Sequence, residues 1–288
     1  MAQKRQDIIF HVPWYKIDEA QYENTMAEIY GWGVRKIVAP QYFYRKKCTE
    51  KGGFPGKINA LAERYGIGFA AAHGLLGMDF DLGYADKNAL DEHRRFLFEL
   101  AEIGVITYTL HPGMHHPASD MGRNLSEKFW TRFEHSLTVL LPVAEQTGIT
   151  LALENTYEPF EPLARMVKLV NSFHHPRLGL CLDVGHANIS GIGIEAFFEL
   201  MAPLMVTCHL HDNNGMKDEH IAPGQGTIDW VKLVEALHRI PGLLHIETET
   251  RSWSQEIWRQ FDKFFTWMRD PKTAEMKDGK GNRFLKGR

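Results

Sequence analysis

Val206–Trp230 reads VTCHLHDNNGMKDEHIAPGQGTIDW, and how this stretch is understood decides the fold. An apolar run gives way to His209, His211 and Asp212, then to a polar loop carrying Asp218 and His220. Gly224, Gln225 and Gly226 turn the chain, and a helical pattern follows from Ile228 to Ile240. The pattern is that of a buried strand with ligand-type side chains at its C-terminal end, joined to a helix by a loop that carries more of them. Histidines and carboxylates crowded together are costly to bury unpaired, and a metal ion satisfies them at once. A solvated polar loop is the competing reading of this stretch taken alone.

Working outward, the same strand-then-helix unit recurs. Strand-like runs occupy Ile8–Val12, Val34–Ala39, Ile67–His73, Val105–His111, Ile149–Glu154, Leu178–Asp183, Met205–His211 and Leu243–Glu247. Helical spacing occupies Ile17–Tyr30, Ile58–Tyr65, Ala85–Ile103, Leu125–Gln146, Leu163–Phe173, Ile194–Met201, Val231–Ile240 and Ser254–Met268. Thr147-Gly148 is a helix stop, and Asp229 belongs to the N-terminal cap of the helix after it. The strand runs are nearly continuous in apolar residues, as parallel strands covered on both faces require. Eight such units predict a single α/β domain, a (β/α)8 TIM barrel over 1–270, with a polar tail over 271–288. A doubly wound open sheet competes, but no glycine-rich phosphate fingerprint follows the first strand.

Composition narrows the function classes. The chain has 288 residues, 44% of them hydrophobic, enough for one large core. A net charge of −3 gives no basic field of the kind nucleic acid attracts. The one basic, aromatic stretch is the connection Pro40–Lys57, with Tyr42, Phe43, Tyr44, Arg45, Lys46, Lys47 and Lys51. No run reaches membrane-spanning length, and the start of the chain has no apolar leader. Three cysteines, Cys48, Cys181 and Cys208, do not make a disulfide framework, and the cytoplasm is the expected compartment.

In a barrel of this kind the C-terminal strand ends converge on one mouth. His73, His111, Glu154, Asp183, His209 and Glu247 stand at six of the eight ends, with His186, Asp218 and His220 in the following loops. One polar strand end is ordinarily a hydrogen-bonded cap, but six at one mouth point to a metal site. Two glutamates, an aspartate and a histidine form a hard, oxygen-rich set suited to Mn²⁺, with Mg²⁺, Co²⁺ or Zn²⁺ also accommodated. Such an ion would hold the adjacent oxygens of a hydroxy-ketone and stabilise the enediolate left when the neighbouring proton departs. Glu154 and Glu247, from opposite sides, would move that proton.

The motifs AAHGLL, TLHPG, LALENTY, GLCLDVGHANISG, CHLHDNNGMKDEHIAPGQGTIDW and HIETE carry a family resemblance across about residues 68–249. The chain resembles the xylose isomerase-like TIM barrels, in particular the sugar-phosphate isomerase/epimerase group. That resemblance implies Glu154, Asp183, His209 and Glu247 as metal ligands, with His186 and His220 on substrate hydroxyls. The same superfamily contains apurinic-site nucleases of the endonuclease IV type, which use three zinc ions. Their nine-position pattern also falls on His73, His111, Glu154, Asp183, His186, His209, Asp218, His220 and Glu247. A zinc-dependent phosphodiesterase is therefore the alternative to the sugar enzyme. The contexts HPGMHH, ENTYEP and GQGTIDW favour the sugar enzyme, and Asp79, Asp81, Glu158 and Glu161 would repel a phosphate backbone. A third reading is a barrel that binds a polyol without turning it over.

The remaining candidates are weaker. His11 and Trp14 are expected to contact a sugar, and Tyr157 to line the pocket. His115 and His116 are read as solvated. His211 is expected to point away from His209 and to be structural, unless a kink at the strand end brings it in. Trp253, Trp258 and Trp267 read as packing, with an oligomer contact as the alternative. The expected partner is a small sugar or sugar phosphate, with neither nucleic acid nor membrane.

Overall fold

A computed structural model describes residues 7–40, 56–113, 125–157, 160–237 and 239–269. The basic stretch around Arg45–Lys47, Cys48, His115, His116, Glu158, the Trp267 side chain and the tail 271–288 lie outside the described residues.

Eight strands form one all-parallel sheet in the order β1-β8-β7-β6-β5-β4-β3-β2. They are β1 (Asp7–Ile9), β2 (Lys36–Ala39), β3 (Gly68–His73), β4 (Thr107–Leu110), β5 (Thr150–Glu154), β6 (Leu178–Asp183), β7 (Met205–Leu210) and β8 (His245–Thr248). Phe10 closes the ring: its N–H donates to the Lys36 carbonyl at 3.0 Å, and its own carbonyl accepts from Val38 N–H at 3.1 Å. The eight-stranded TIM barrel expected from the sequence is present. All eight strands fall within or close to the apolar runs, mostly shorter by one to three residues where the run frays into a turn.

The helices follow the same logic. Helix α1 spans Tyr22–Gly31 and α2 spans Gly56–Tyr65. Helix α3, Lys87–Glu102, begins where the Asp86 side chain accepts from Ala89 N–H at 2.9 Å. It buries Leu90, His93, Phe96, Leu97 and Leu100 on one face, the three-and-four spacing of an amphipathic helix. Helix α4, Glu127–Thr147, starts at a Ser126 cap and stops at Gly148, whose φ of 73° places it in the left-handed region glycine tolerates. Helix α5 spans Phe160–Ser172. Strand β6 then runs straight into a short helix the sequence reading did not anticipate, α6 (Val184–Ile189), before α7 (Ile194–Met201). Helix α8 is Trp230–Leu237, with Asp229 at its start accepting from Lys232 N–H at 3.2 Å, as expected of a cap. Helix α9 is Gln255–Arg269.

The main core lies between the sheet and the helices; a small separate cluster, Ile9, Val38, Ala70 and Ala71, lies on the β1–β3 side. From β4 to β8 the barrel is instead polar within, with Thr107, Thr109, Glu154, Asp183, Thr207, His209, His245 and Glu247 all buried. Half of this barrel is thus filled by groups that must find hydrogen-bond partners or a charge. Trp258 and Trp253 are packing residues, as expected: Trp258 donates to the Trp32 carbonyl at 2.7 Å and sits edge-on to Phe10, and Trp253 lies 5.5 Å from Trp32.

Candidate metal centre at the barrel mouth

The β7 segment supplies the organising residues. Strand pleating places Thr207, His209 and His211 on one face, because residues two apart share a face. His211 therefore turns inward beside His209, contrary to the opposite orientation expected from the sequence. Its Nε2 lies 3.1 Å from each Asp183 oxygen, and it is completely buried. Gly185 makes room for it, since a side chain there would overlap the His211 ring. Asp183 is both the end of β6 and the cap of α6, accepting from His186 N–H at 2.7 Å, which turns the chain so that His186 also faces the mouth.

Asp212, counted with the ligand-type residues in the sequence, faces elsewhere. Its carboxylate accepts from the backbone N–H groups of Asn213, Gly224, Gly226 and Ile228 and from Trp230 Nε1. It is the anchor of the loop that carries Asp218 and His220. Gly226 must be glycine because a β-carbon would overlap the Asn213 carbonyl and the Asp212 carboxylate.

Two adjoining clusters result. In the first, Glu154 is buried at the end of β5. Its Oε2 accepts from His111 at 2.9 Å and from His73 at 3.2 Å, and its Oε1 lies 3.0 Å from His209 Nδ1. Glu249, a residue the sequence reading quoted but did not single out, brings Oε2 to 3.1 Å from the same Nδ1, and Asp183 Oδ2 is 4.0 Å away. Glu154, Asp183, His209 and Glu249 each offer one ligand atom, all within 4.8 Å of one another. Glu247 lies on the other side of the His209 ring, 3.5 Å from Nε2. In the second cluster His186 Nδ1 donates to the Asn155 carbonyl at 2.9 Å, leaving Nε2 toward the loop. His220 Nδ1 donates to the Glu249 carbonyl at 2.7 Å and Nε2 meets Asp218 at 2.6 Å. His211 and His220 stack 3.9 Å apart, and His220 holds a φ of 50°, a conformation non-glycine residues adopt at a cost of about 1–3 kcal/mol.

Electrostatics follow from this crowding. Burial penalises charge on His209 and Glu154, yet their mutual attraction, with His111 and neighbouring carboxylates added, holds the imidazole well above and the carboxyl well below their ordinary ranges. Burial likewise opposes charge on His220, but its bond to Asp218 raises it to about 9. His11 is moved the other way, to about 4, because burial dominates.

The cavity above the first cluster has a volume of about 520 Å³, and its lining includes His11, Trp14, His73, His209, Glu247 and Glu249. The His11 Nδ1 and Trp14 Nε1 atoms are buried without a hydrogen-bond partner among the described residues. Tyr157 sits edge-on to His186, 4.8 Å between ring centres, and is half-exposed. Of the acidic loop residues expected to repel phosphate, Asp79 is exposed but Asp81 is buried, with Oδ1 3.9 Å from His111 Nδ1. Asp81 is therefore not a surface charge.

A closed parallel barrel with histidines and carboxylates gathered at its C-terminal mouth defines a class of barrel proteins with a metal-competent centre. The chain belongs to the family of xylose isomerase-like TIM barrels, whose pattern matches residues 43–270. It is 32% identical over 123 residues to an uncharacterised protein of Methanocaldococcus jannaschii, covering 40% of this chain and 42% of that one. A second protein of that organism is 27% identical over 168 residues, covering 58% and 63%. The chain thus spans less than two thirds of these curated relatives. Among solved structures, a D-tagatose 3-epimerase-like protein superposes with a TM-score of 0.71 at 20% identity, covering 92% of this chain and all of that one. The IolI protein with a bound zinc atom gives 0.68 at 20% identity, covering 93% and 99%. The apo 3-keto-D-glucoside 4-epimerase of E. coli gives 0.66 at 20%, covering 92% and 99%.

Proposed function

We propose that this chain is a divalent-metal-dependent sugar or sugar-phosphate isomerase or epimerase. The observation that carries the reading is the four-membered group at the mouth, carboxylates from β5, β6 and the β8 end around one nitrogen of His209. The donor set fits a hard divalent ion. Within the set Glu249 Oε2 is buried without an aligned hydrogen bond, and three carboxylates crowd a single imidazole. Mn²⁺ suits these ligands best, with Mg²⁺, Co²⁺ or Zn²⁺ as substitutes. When bound, the ion would supply an electrophile for the oxygens of a hydroxy-ketone and so acidify the C–H on the hydroxyl-bearing carbon next to the carbonyl. The sugar-epimerase and zinc-bound barrels of similar fold support this reading.

The chain's own residues do the rest. Glu154 takes or returns the proton on one side, and a β8 carboxylate, Glu247 by the sequence reading, serves the other. The Nε2 edge of His186, 3.8 Å from Asp218 Oδ2, and the His220–Asp218 pair meet substrate hydroxyls from the loop side. His11 Nδ1 and Trp14 Nε1 meet them from the opposite wall, and Tyr157 covers the His186 side. The unpaired buried thiols Cys181 and Cys208 suit a cytoplasmic enzyme. Among the described residues no helix is long and apolar enough to cross a membrane.

The test is exchange of solvent deuterium into the carbon next to the carbonyl of ketoses and their phosphates, followed by NMR with Mn²⁺ present. Exchange by the native chain, lowered at least about 10²-fold in Glu154→Gln, is expected from loss of a general base. Exchange undiminished in Glu154→Gln would sink the assignment. The second reading, a zinc phosphodiesterase, is favoured by the further groups His73–His111–Glu154 and His186–Asp218–His220. Three tightly held zinc ions per chain and cleavage of an abasic oligonucleotide would put it first.

A further inference from the structure

Strand β8 brings two carboxylates to the inner face, Glu247 and Glu249, two residues apart. Pleating sends both inward, one step apart along the barrel axis, so they cannot do the same work. The His209 ring separates them. Its Nδ1 edge faces Glu154 at 3.0 Å, Glu249 at 3.1 Å and Asp183 at 4.0 Å. Its Nε2 edge faces Glu247 and Thr109, each at 3.5 Å.

Glu247 is also the terminus of a buried chain of donors. Thr107 Oγ1 and His245 Nε2 are 2.6 Å apart, and His245 Nδ1 is 3.2 Å from Thr207 Oγ1. Thr207 in turn donates to Glu247 Oε1 at 3.4 Å. One polarity satisfies every member. The Thr107 hydroxyl donates to His245 Nε2, His245 Nδ1–H donates to Thr207, and the Thr207 hydroxyl donates to Glu247. A carboxylate at the end of this chain accepts from Thr207 on one oxygen and from His209 Nε2–H on the other. Both Glu247 oxygens are then engaged, on the cavity wall, where the residue is 3% exposed. Once an ion takes the place of the Nδ1 proton, a proton kept on Nε2 by Glu247 would leave the Nδ1 lone pair directed toward Glu154, Asp183 and Glu249.

Among the described residues, an ion on the Nε2 edge would find a single carboxylate, Glu247, with the Thr109 hydroxyl beside the ring. On the Nδ1 edge it finds three carboxylates. Glu249 also belongs to the groups it forms with His73 and His209 and with His211 and His220, whereas Glu247 belongs to none among the described residues. We propose that Glu249, not Glu247, supplies the β8 carboxylate to the metal and the β8 half of proton transfer, while Glu247 is a positioning residue that fixes the His209 tautomer. This rests on the metal-dependent reading above.

The experiment uses the full chain stripped of metal and titrated with Co²⁺, whose visible absorption reports the ligand set without any substrate. The native chain is expected to take up Co²⁺ with a defined spectrum. Glu249→Gln should shift that spectrum and weaken binding more than about 100-fold, beyond what an outer carboxylate normally costs. Glu249→Asp should recover part of both. Glu247→Gln should keep the spectral pattern and weaken binding about tenfold, the lower end of the outer-shell range. If Glu247→Gln does not fold, the Glu249 variants decide alone, because that side chain is one-fifth exposed at the rim. A native spectrum and affinity in Glu249→Gln overturns the proposal and returns the ligand to Glu247. A native chain that takes up neither Co²⁺ nor Mn²⁺ overturns the metal-dependent reading itself.

Discussion

Asp212 shows how much one buried carboxylate can organise. Five N–H donors converge on it, four from backbone and one from an indole, across a span of 18 residues. Replacing it by alanine leaves those donors in a buried site without water or partner. A single unsatisfied buried donor costs about 1–3 kcal/mol, and breaking a charge-centred network costs roughly 3–5 kcal/mol. Asp212→Ala should therefore lower the unfolding free energy by about 3–5 kcal/mol, read from urea denaturation. A loss under about 1 kcal/mol would mean the loop does not depend on this anchor. The sequence displayed Asp212 plainly but not its role: a carboxylate after a strand looks the same whether it faces an ion or a ring of amides. The same limit hid Glu249. It stands on the inner face with Glu247, and only the position of the His209 ring distinguishes the two. For His211 the signal was present and misread, since the period of two along a strand already puts it beside His209.

Between elements, one contact makes a pH-dependent joint. His93 of α3 pairs with the Tyr108 hydroxyl of β4 at 2.8 Å and with the Phe80 carbonyl at 2.9 Å. Burial lowers its pKa from 6.5 to about 4. The folded chain therefore binds a proton on His93 less readily than the unfolded chain does. The stabilisation is complete above pH 6.5 and is lost progressively as the pH falls through 4. Over that interval it amounts to roughly 3 kcal/mol, an order-of-magnitude figure. His93→Gln, which keeps a hydrogen-bonding group and removes the titration, should flatten the fall in stability between those limits by up to about one proton. Urea midpoints measured at steps through that range would check it; parallel curves for the two proteins would rule His93 out. Elements were also where the sequence was most legible. Apolar runs ending abruptly in His, Asp or Glu announced the strands, because parallel barrel strands are buried until they reach the mouth. Helix α6 was not announced: its six residues begin inside a motif read as a strand end, and only the Asp183 cap reveals it.

On the scale of the whole molecule, the polar half of the barrel makes stability and metal occupancy one quantity. Glu154, Asp183, Glu249 and His209 are gathered where apolar residues fill the other side, and without an ion the proton that His209 holds offsets the charge of Glu154 and Glu249. An ion that takes the place of such a proton binds the folded chain and not the unfolded one, so it stabilises by mass action. At a free concentration 100 times its dissociation constant the gain is about 2.7 kcal/mol. For a chain of this size that corresponds to a rise in Tm of roughly 5–10 °C, at about 2–4 °C per kcal/mol. Adding Mn²⁺ to chelator-treated protein should raise the Tm in this range, and the increment should shrink as pH falls and protons compete for the same nitrogens. Mg²⁺ should raise it less, because it gives up its waters reluctantly and His209 is a nitrogen ligand. The shape of the titration also separates the two functional readings. Saturation at one equivalent fits the single centre of a sugar isomerase, whereas three steps with zinc, each adding to the Tm, fit the phosphodiesterase. A Tm indifferent to every divalent ion would leave the buried carboxylates offset by the His209 proton and would remove the basis for a metal-dependent reaction at this mouth.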